Sequence, residues 1–334
     1  MTLVGGVQSH RMAYRFEPQE SITNGIKRIA DEQIESAIYK LTRSIKANRA
    51  KAIHSARKHF KKLRGLVRLI RDDVGQKAYK QENVTFRDAG RALSNLRDAE
   101  VRIETLDDLI DHYRESLDVG QFDGIREALV NAYDAERKVE GPSKQEIAAI
   151  VADLKEAQTR IQTSSILDDW QALEGGLHRV YQRGYKGFFR VCEQPTPEHF
   201  HNWRKRVKYL WYHLRILSPI WPKTLKTMQK QAKQLSDLLG DDHDLVVLRS
   251  FIIENPERFE DDDHLQVLLA LIQQRQLELQ TSARFLGQRL YAEKPKAFRK
   301  RMAVYWQTWR CEIATSPIEV TQPSGHSAFD EITV

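Results

Sequence analysis

Residues 54–63 read His-Ser-Ala-Arg-Lys-His-Phe-Lys-Lys-Leu, and residues 201–210 read His-Asn-Trp-Arg-Lys-Arg-Val-Lys-Tyr-Leu. Both fit the pattern H-x-x-R-K-x-x-K-x-L, at an offset of 147 residues. At about 100° per residue, with His54 at zero, Arg57, Lys61, Arg64, Arg68 and Arg71 fall within an arc of about 100°. Lys58 sits just beside that arc. Ile53, Phe60, Leu63, Leu66, Val67 and Ile70 occupy the opposite side. The stretch therefore reads as an amphipathic helix with a core face and, flanking it, a purely cationic stripe. The second copy repeats the geometry, with His201, Arg204, Lys205, Lys208 and Arg215 on one face.

A solvated helix face normally mixes signs, because glutamate–lysine pairs one turn apart each add a few tenths of a kcal/mol. Neither stripe does so. From Ser36 to Arg71 there is no aspartate or glutamate, against twelve lysines and arginines. From His199 to Ser236 there is again none, against nine. Acids are about one residue in seven of the whole chain, so two acid-free windows at matched positions are improbable as accidents. Like charges about 6 Å apart repel by roughly 2–3 kcal/mol at an effective dielectric near 20. A stripe that tolerates such repulsion points to an anionic ligand.

The repetition extends beyond the two stripes. Gly25-Ile26-Lys27-Arg28-Ile29 matches Gly176-Leu177-His178-Arg179-Val180, and Leu93-Ser94 with Asp98 and Val101 matches Leu239-Gly240 with Asp244 and Val247. Three segments in the same order divide the chain into related halves, 14–163 and 164–315, expected to pack about a pseudo-twofold axis. Residues 1–13 and 316–334 lack periodicity and read as a flexible N-terminus and a disordered tail. Helical periodicity predicts helices over 20–47, 50–71, 78–116, 121–139, 144–163, 166–192, 197–218, 222–253, 263–291 and 295–314, with breaks at glycine and proline. Nothing reads as a strand. The expected fold is all-α, built as two related helical halves.

Composition agrees. The 334 residues carry a formal net charge of +7, with 30% charged residues and six tryptophans, the mix of an ordered helical protein. A basic balance favours anionic partners: nucleic acid, an anionic membrane surface or free phosphates. Cys192 and Cys311 are too few and too far apart for a disulfide framework and read as free thiols. No apolar run approaches the ~20 residues that span a bilayer, and the start lacks a signal-peptide pattern, so the expected location is the cytoplasm, without membrane association.

The paired H-x-x-R-K-x-x-K motifs, the Gly-Ile-Lys-Arg segment at 25–28 and Leu-Ser-Asn-Leu-Arg-Asp-Ala-Glu-Val at 93–101 together resemble the CHAD family, the conserved histidine α-helical domain. The resemblance spans about residues 14–315. It implies two pseudo-symmetric helical bundles around a basic pore that binds inorganic polyphosphate, with polyphosphate granules as a possible location. By motif it implies ligand contacts from Arg28, His54, Arg57, Lys58 and Lys61 in the first half and Arg179, His201, Arg204, Lys205 and Lys208 in the second. Arg64, Arg68 and Arg215 extend the same stripes, Arg183 joins the surface from a flanking helix, and Asp98 and Asp244 either orient a histidine or arginine or form an ordinary helix-surface or intrahelical ion pair. Many relatives carry a triphosphate-tunnel (CYTH) domain as well; fewer than twenty residues precede the repeat, and none is expected here. The second half has Asp241-Asp242-His243-Asp244 where the first has Asn95-Leu96-Arg97-Asp98, adding negative charge to one half.

Such a ligand suits these side chains. Polyphosphate offers about one negative charge per unit and no bases, so repeated cationic donors suffice. Arginine supplies a planar fork and lysine a point charge; a protonated histidine donates from either nitrogen. No cofactor, metal or catalytic role is expected, and the chain is expected to be a monomer or weak dimer. Two rivals stand beside this reading. General polyanion or RNA binding fits the charge, with RNA as a competitor, although no interleaved exposed aromatics or nucleic-acid motif accompany the stripes. Trp203, Tyr209 and Tyr212 stand off the cationic arc and read as packing residues. A metal-dependent phosphohydrolase would use His243-Asp244, but the neighbouring cations repel a divalent metal and no phosphate-loop or hydrolase motif is present.

Overall fold

The computed structural model describes residues 14–93, 97–138, 142–259 and 264–315. The expectations for 1–13 and 316–334 lie outside them, as does the side chain of Asp98. The described residues form eleven α-helices and no strand. In order they are α1 (Ile22–Thr42), α2 (Arg49–Leu69), α3 (Arg71–Ala92), α4 (Arg97–Tyr113), α5 (Asp123–Lys138), α6 (Lys144–Thr163), α7 (Gln171–Glu193), α8 (Pro197–Ile216), α9 (Pro222–Glu254), α10 (Leu265–Leu290) and α11 (Pro295–Thr315).

Local chemistry sets most of these boundaries. Ser21, Asn48, Ser143 and Thr196 each cap the helix that follows by accepting from the backbone N–H three residues on. Proline opens α8, α9 and α11, where its missing N–H removes no intrahelical bond. One expectation is corrected. The helix read over 78–116 is two helices: α3 leaves helical geometry at Leu93, and α4 starts at Arg97. Ser94 and Asn95 follow Leu93, and both residue types compete with the helix for backbone hydrogen bonds. At the other end of α3, Gly75 adopts φ 81° and ψ 162°, a conformation essentially reserved to glycine. The regular part of α3 therefore starts after Gly75.

Packing follows the amphipathic faces. Ile53, Phe60, Leu63, Leu66, Val67 and Ile70, the apolar side of α2, are all buried. α1 packs on α2 and α6, and α2 on α3; α7 packs on α8 and α11, and α8 on α9. α2 and α3 also meet α7, α2 meets α8, and α4 meets α9. Two apolar clusters result, and each draws on both halves of the chain. The larger joins α1, α2, α3, α6, α7, α8, the early part of α9, the end of α10 and α11, and includes the fully buried Trp203. The smaller joins α4, α5, the later part of α9 and α10 through Leu106, Phe122, Leu129, Leu248, Leu268 and Ile272.

The contact between α2 and α8 positions the basic stripes. A Cβ on Gly65 would stand 3.0 Å from Cβ of Tyr212, so the absence of a side chain lets the helices close here. At the same place Nε2 of the fully buried His213 donates to the Gly65 carbonyl at 2.9 Å. Tyr14 adds a hydrogen bond from its hydroxyl to the Lys62 carbonyl at 2.7 Å. No helix among the described residues is long and apolar enough to cross a membrane. Both cysteines are free thiols and exposed.

Candidate functional site

A cleft of about 560 Å³ opens between α2, α3 and α8. Arg57, Lys61, Arg64 and Arg68 line it from α2, Arg87 and Arg91 from α3, and His201, Lys205 and Arg206 from α8. Phe60, Phe86, Gly90 and Tyr209 complete the wall, and no described lining residue is aspartate or glutamate. The i, i+4, i+7, i+11 spacing from Arg57 to Arg68 keeps one face of α2 turned to the cleft along about 16 Å of helix.

The side chains are held in different ways. The Arg68 guanidinium carbon lies 4.1 Å from the Tyr209 ring centroid, and its Nη1 donates to the Arg64 carbonyl at 2.8 Å. Arg64 donates from Nε to Asn83 Oδ1 at 3.2 Å, and Lys205 Nζ to Asn202 Oδ1 at 3.3 Å. His201 packs against His243 with ring centroids 4.2 Å apart. Nδ1 of His201 and Nε of Arg204 are buried and make no hydrogen bond among the described residues.

Burial first, and neighbouring cations second, lower the proton affinities around the cleft. Water reaches Lys61, yet protein surrounds it inside the cleft; lost hydration, then Lys208, Arg57 and Arg204, push its ammonium down to about 7 against weak opposition from Asp244. Lys208 is pushed down to about 8, first by desolvation and then by Arg204, with Asp237 and Asp244 pulling the other way. Lys62 falls to about 8 through burial, Arg215 and Lys58. His201 is lowered by burial, Lys205 and Arg204, and His243 falls to about 4 through burial, His201, Arg204 and Lys205. Lysines and histidines driven this way mark a place where positive charge is under-compensated.

The sequence-predicted residues take different places around the cleft. Arg57, Lys61, Arg64, Arg68, His201 and Lys205 line the cleft. Arg204 and Lys208 stand next to Lys61 without lining it, and Lys58 and Arg215 adjoin Lys208 and Lys62. The half-buried His54 does not line it. Arg28 and Arg179 are engaged elsewhere: Arg28 pairs with Glu20 at 2.7 Å and Glu32 at 2.9 Å, and Arg179 with Asp72 at 3.2 Å. Arg183 lies across Arg206 from the cleft, in a neighbouring groove. Asp244 adjoins Lys61 and Lys208 and also lines a cleft of about 330 Å³ with Asp108, Asp111 and Asp241.

The pattern missed Arg206, Arg87, Arg91 and Tyr209. Arg206 falls outside the 100° arc, and Arg87 and Arg91 sit in a segment where Asp88 pairs with Arg87 at 2.7 Å. Their i, i+4 spacing on the helix that follows α2 was the available signal. Tyr209 reads as packing from its helical position; it is partly buried against the core and also forms the cleft wall beneath Arg68.

The family profile for the CHAD domain matches residues 28–252, about two thirds of the chain, and takes in both histidine-headed motifs. The chain belongs to the CHAD domain family. The match starts inside α1 and ends inside α9, so α10 and α11 lie beyond it, as do the first residues of α1. The cleft of this CHAD domain, from Arg57 to Tyr209, falls wholly within the matched span. No curated protein matches the sequence.

Proposed function

We propose that this CHAD domain binds linear inorganic polyphosphate in the cleft between α2, α3 and α8, as a binding module without catalysis. One observation carries the reading: eight arginines and lysines and His201 converge on one cleft with no carboxylate in its described lining. Each charge-assisted phosphate contact contributes about 1.5–3 kcal/mol net, so a handful of simultaneous contacts outweighs the ordering of a flexible chain. The buried, unpartnered Nδ1 of His201 and Nε of Arg204 add polar atoms beside the ligand path.

The internal repeat extends the proposal. It pairs Arg57 with Arg204, Lys58 with Lys205, Lys61 with Lys208 and Arg68 with Arg215. The matching neighbours of α1 and α7, and of α2 and α8, support two halves related by a pseudo-twofold axis. The axis would pass through both apolar clusters, since each is built from both halves. Arg57, Lys61, Arg204 and Lys208 would form the centre of a basic pore joining the cleft to the side that carries Lys58, Lys62 and Arg215. Polyphosphate granules in the cytoplasm are the corresponding location, and a monomer or weak dimer the corresponding state.

The face of Tyr209 is taken by Arg68, which leaves it a poor stacking platform for a nucleobase. The test is titration of the purified protein with long-chain polyphosphate, against RNA of equal charge, over a range of salt. A complex that survives excess RNA and weakens steeply with salt supports the reading. Equal competition by RNA would make this a general polyanion binder.

A further inference from the structure

A second cavity, of about 200 Å³, lies between α7 and α8. Arg183, Lys186 and Arg190 line it from α7, and His199, Asn202 and Arg206 from α8, over a floor that includes Trp203. Arg183, Lys186 and Arg190 stand at i, i+3 and i+7, one face of the helix, and all three are exposed. No described lining residue is a carboxylate. Arg190 reaches Gln194 Oε1 at 3.4 Å and His199 Nδ1 lies 2.8 Å from the Gln194 carbonyl, while Asn202 donates to the Glu198 carboxylate behind the rim at 3.5 Å.

The groove is joined to the larger cleft. Arg206 lines both cavities, with Lys205 and Tyr209 on one side of it and Arg183 and Asn202 on the other. Burial and the charges of Arg183 and Arg68 both disfavour its protonated form, so Arg206 feels a cation from each cavity at once. An anion lying over Arg206 relieves both repulsions, and a chain of anions continues into either cavity without crossing a carboxylate.

We infer that the α7–α8 groove is a second stretch of the anion path, entered over Arg206, and that the preferred ligand is a phosphate chain long enough to occupy cleft and groove together. The inference rests on the proposed function and sharpens its substrate class. A short chain such as tripolyphosphate fills the cleft alone, whereas a long chain also engages Arg183, Lys186 and Arg190. Chain-length preference then follows from the added contacts in the groove.

The experiment compares long-chain polyphosphate with tripolyphosphate on the full chain, for the wild type, R183E/R190E and the milder R183Q/R190Q. K144E/K155E, on the exposed face of α6, carries the same charge change away from the path. Thermal melts check that every variant folds. The expected result is a loss of about tenfold or more for long-chain polyphosphate in R183E/R190E, with a smaller loss in R183Q/R190Q. Tripolyphosphate affinity stays within about twofold of the K144E/K155E control. Equal losses for both ligands, or none for either, overturn the groove. A wild type that binds neither ligand instead overturns the polyphosphate reading itself, and the groove with it.

Discussion

The guanidinium of Arg68, on α2, lies over the ring of Tyr209, on α8, with 4.1 Å between guanidinium carbon and ring centroid. This contact ties α2 and α8 together at the cleft wall and fixes the direction of one cation. Arg68 is further held by the Arg64 carbonyl, so its guanidinium is oriented without a ligand. Tyr209→Leu keeps the charge and much of the apolar volume while removing the ring face. A cation–π contact of this kind contributes about 0.5–2 kcal/mol. We expect a modest fall in melting temperature and a several-fold loss of polyphosphate affinity with an unchanged salt slope. An unaltered affinity in isothermal titration would mean that Arg68 needs no such support.

Charge reversal separates a defined site from diffuse attraction. Lys205 lines the cleft, whereas Lys155 is exposed on α6. Lys205→Glu is expected to weaken binding by about tenfold or more, and Lys155→Glu by less than about twofold. Lys58→Glu, beside Lys208 and Lys62, should fall with Lys205→Glu if the path continues beyond the cleft. Equal losses at all three positions in a filter-binding series would point to the net charge of +7 alone.

Binding should depend on pH between neutrality and pH 9. Lys61 is held to about 7 and Lys208 to about 8, both below the ordinary lysine value. In that window the unfolded chain holds more protons than the unliganded native state, so the unliganded protein gains stability as pH rises. A bound polyanion favours the charged ammonium and reverses the effect. Affinity should therefore fall from pH 6.5 to pH 9, with net proton uptake on binding near pH 8. Titration calorimetry in buffers of different ionisation enthalpy measures that uptake, and zero uptake would place these lysines outside the bound region.

Acid should loosen the contact between α2 and α8. His213 is fully buried, donates to the Gly65 carbonyl, and is held down to about 4, chiefly by burial. Its native value lies below its unfolded one, so the stability it supplies as a neutral ring is present above about 6.5 and is lost as pH falls toward 4. The shift corresponds to about 3 kcal/mol at most. Chemical denaturation of His213→Leu between pH 4 and 7 should give a shallower pH slope than the wild type. An identical slope would assign the acid sensitivity to His59 and His243, which are also lowered to about 4.

Gly75 holds a backbone conformation that other residues adopt only with strain. Nothing stands within 4 Å of a Cβ built there, so Gly75→Ala introduces no clash, only an unfavourable φ of 81°. The expected destabilisation is about 1–3 kcal/mol, read from the shift of the denaturation midpoint. A neutral result would mean that α2 and α3 can join with Gly75 in another backbone conformation.

Much of this architecture was legible in the sequence because it is local. Period-3.6 spacing, caps and prolines mark nearly every helix, and the apolar side of α2 is buried as its pattern requires. The failure at 78–116 has a local cause as well: apolar periodicity continues across Leu93, so spacing alone merges α3 with α4. Which residues line the cleft was legible only on the stripes themselves, as for Arg57, Lys61, Arg64 and Lys205.

The sequence by itself determined the helical class, the two histidine-headed basic helices and the absence of acids along them. Only the tertiary structure decided which cations share a cavity. Arg28 and Arg179 belong to the matched motifs, yet Glu20, Glu32 and Asp72 engage them, while Arg206, Arg87 and Tyr209 enter the cleft from positions with no stripe pattern. The reason is physical. A helix's own period sets which side chains share its face, but the partner of that face depends on packing between helices far apart in the chain, and a cation's availability depends on the carboxylate that packing brings within reach.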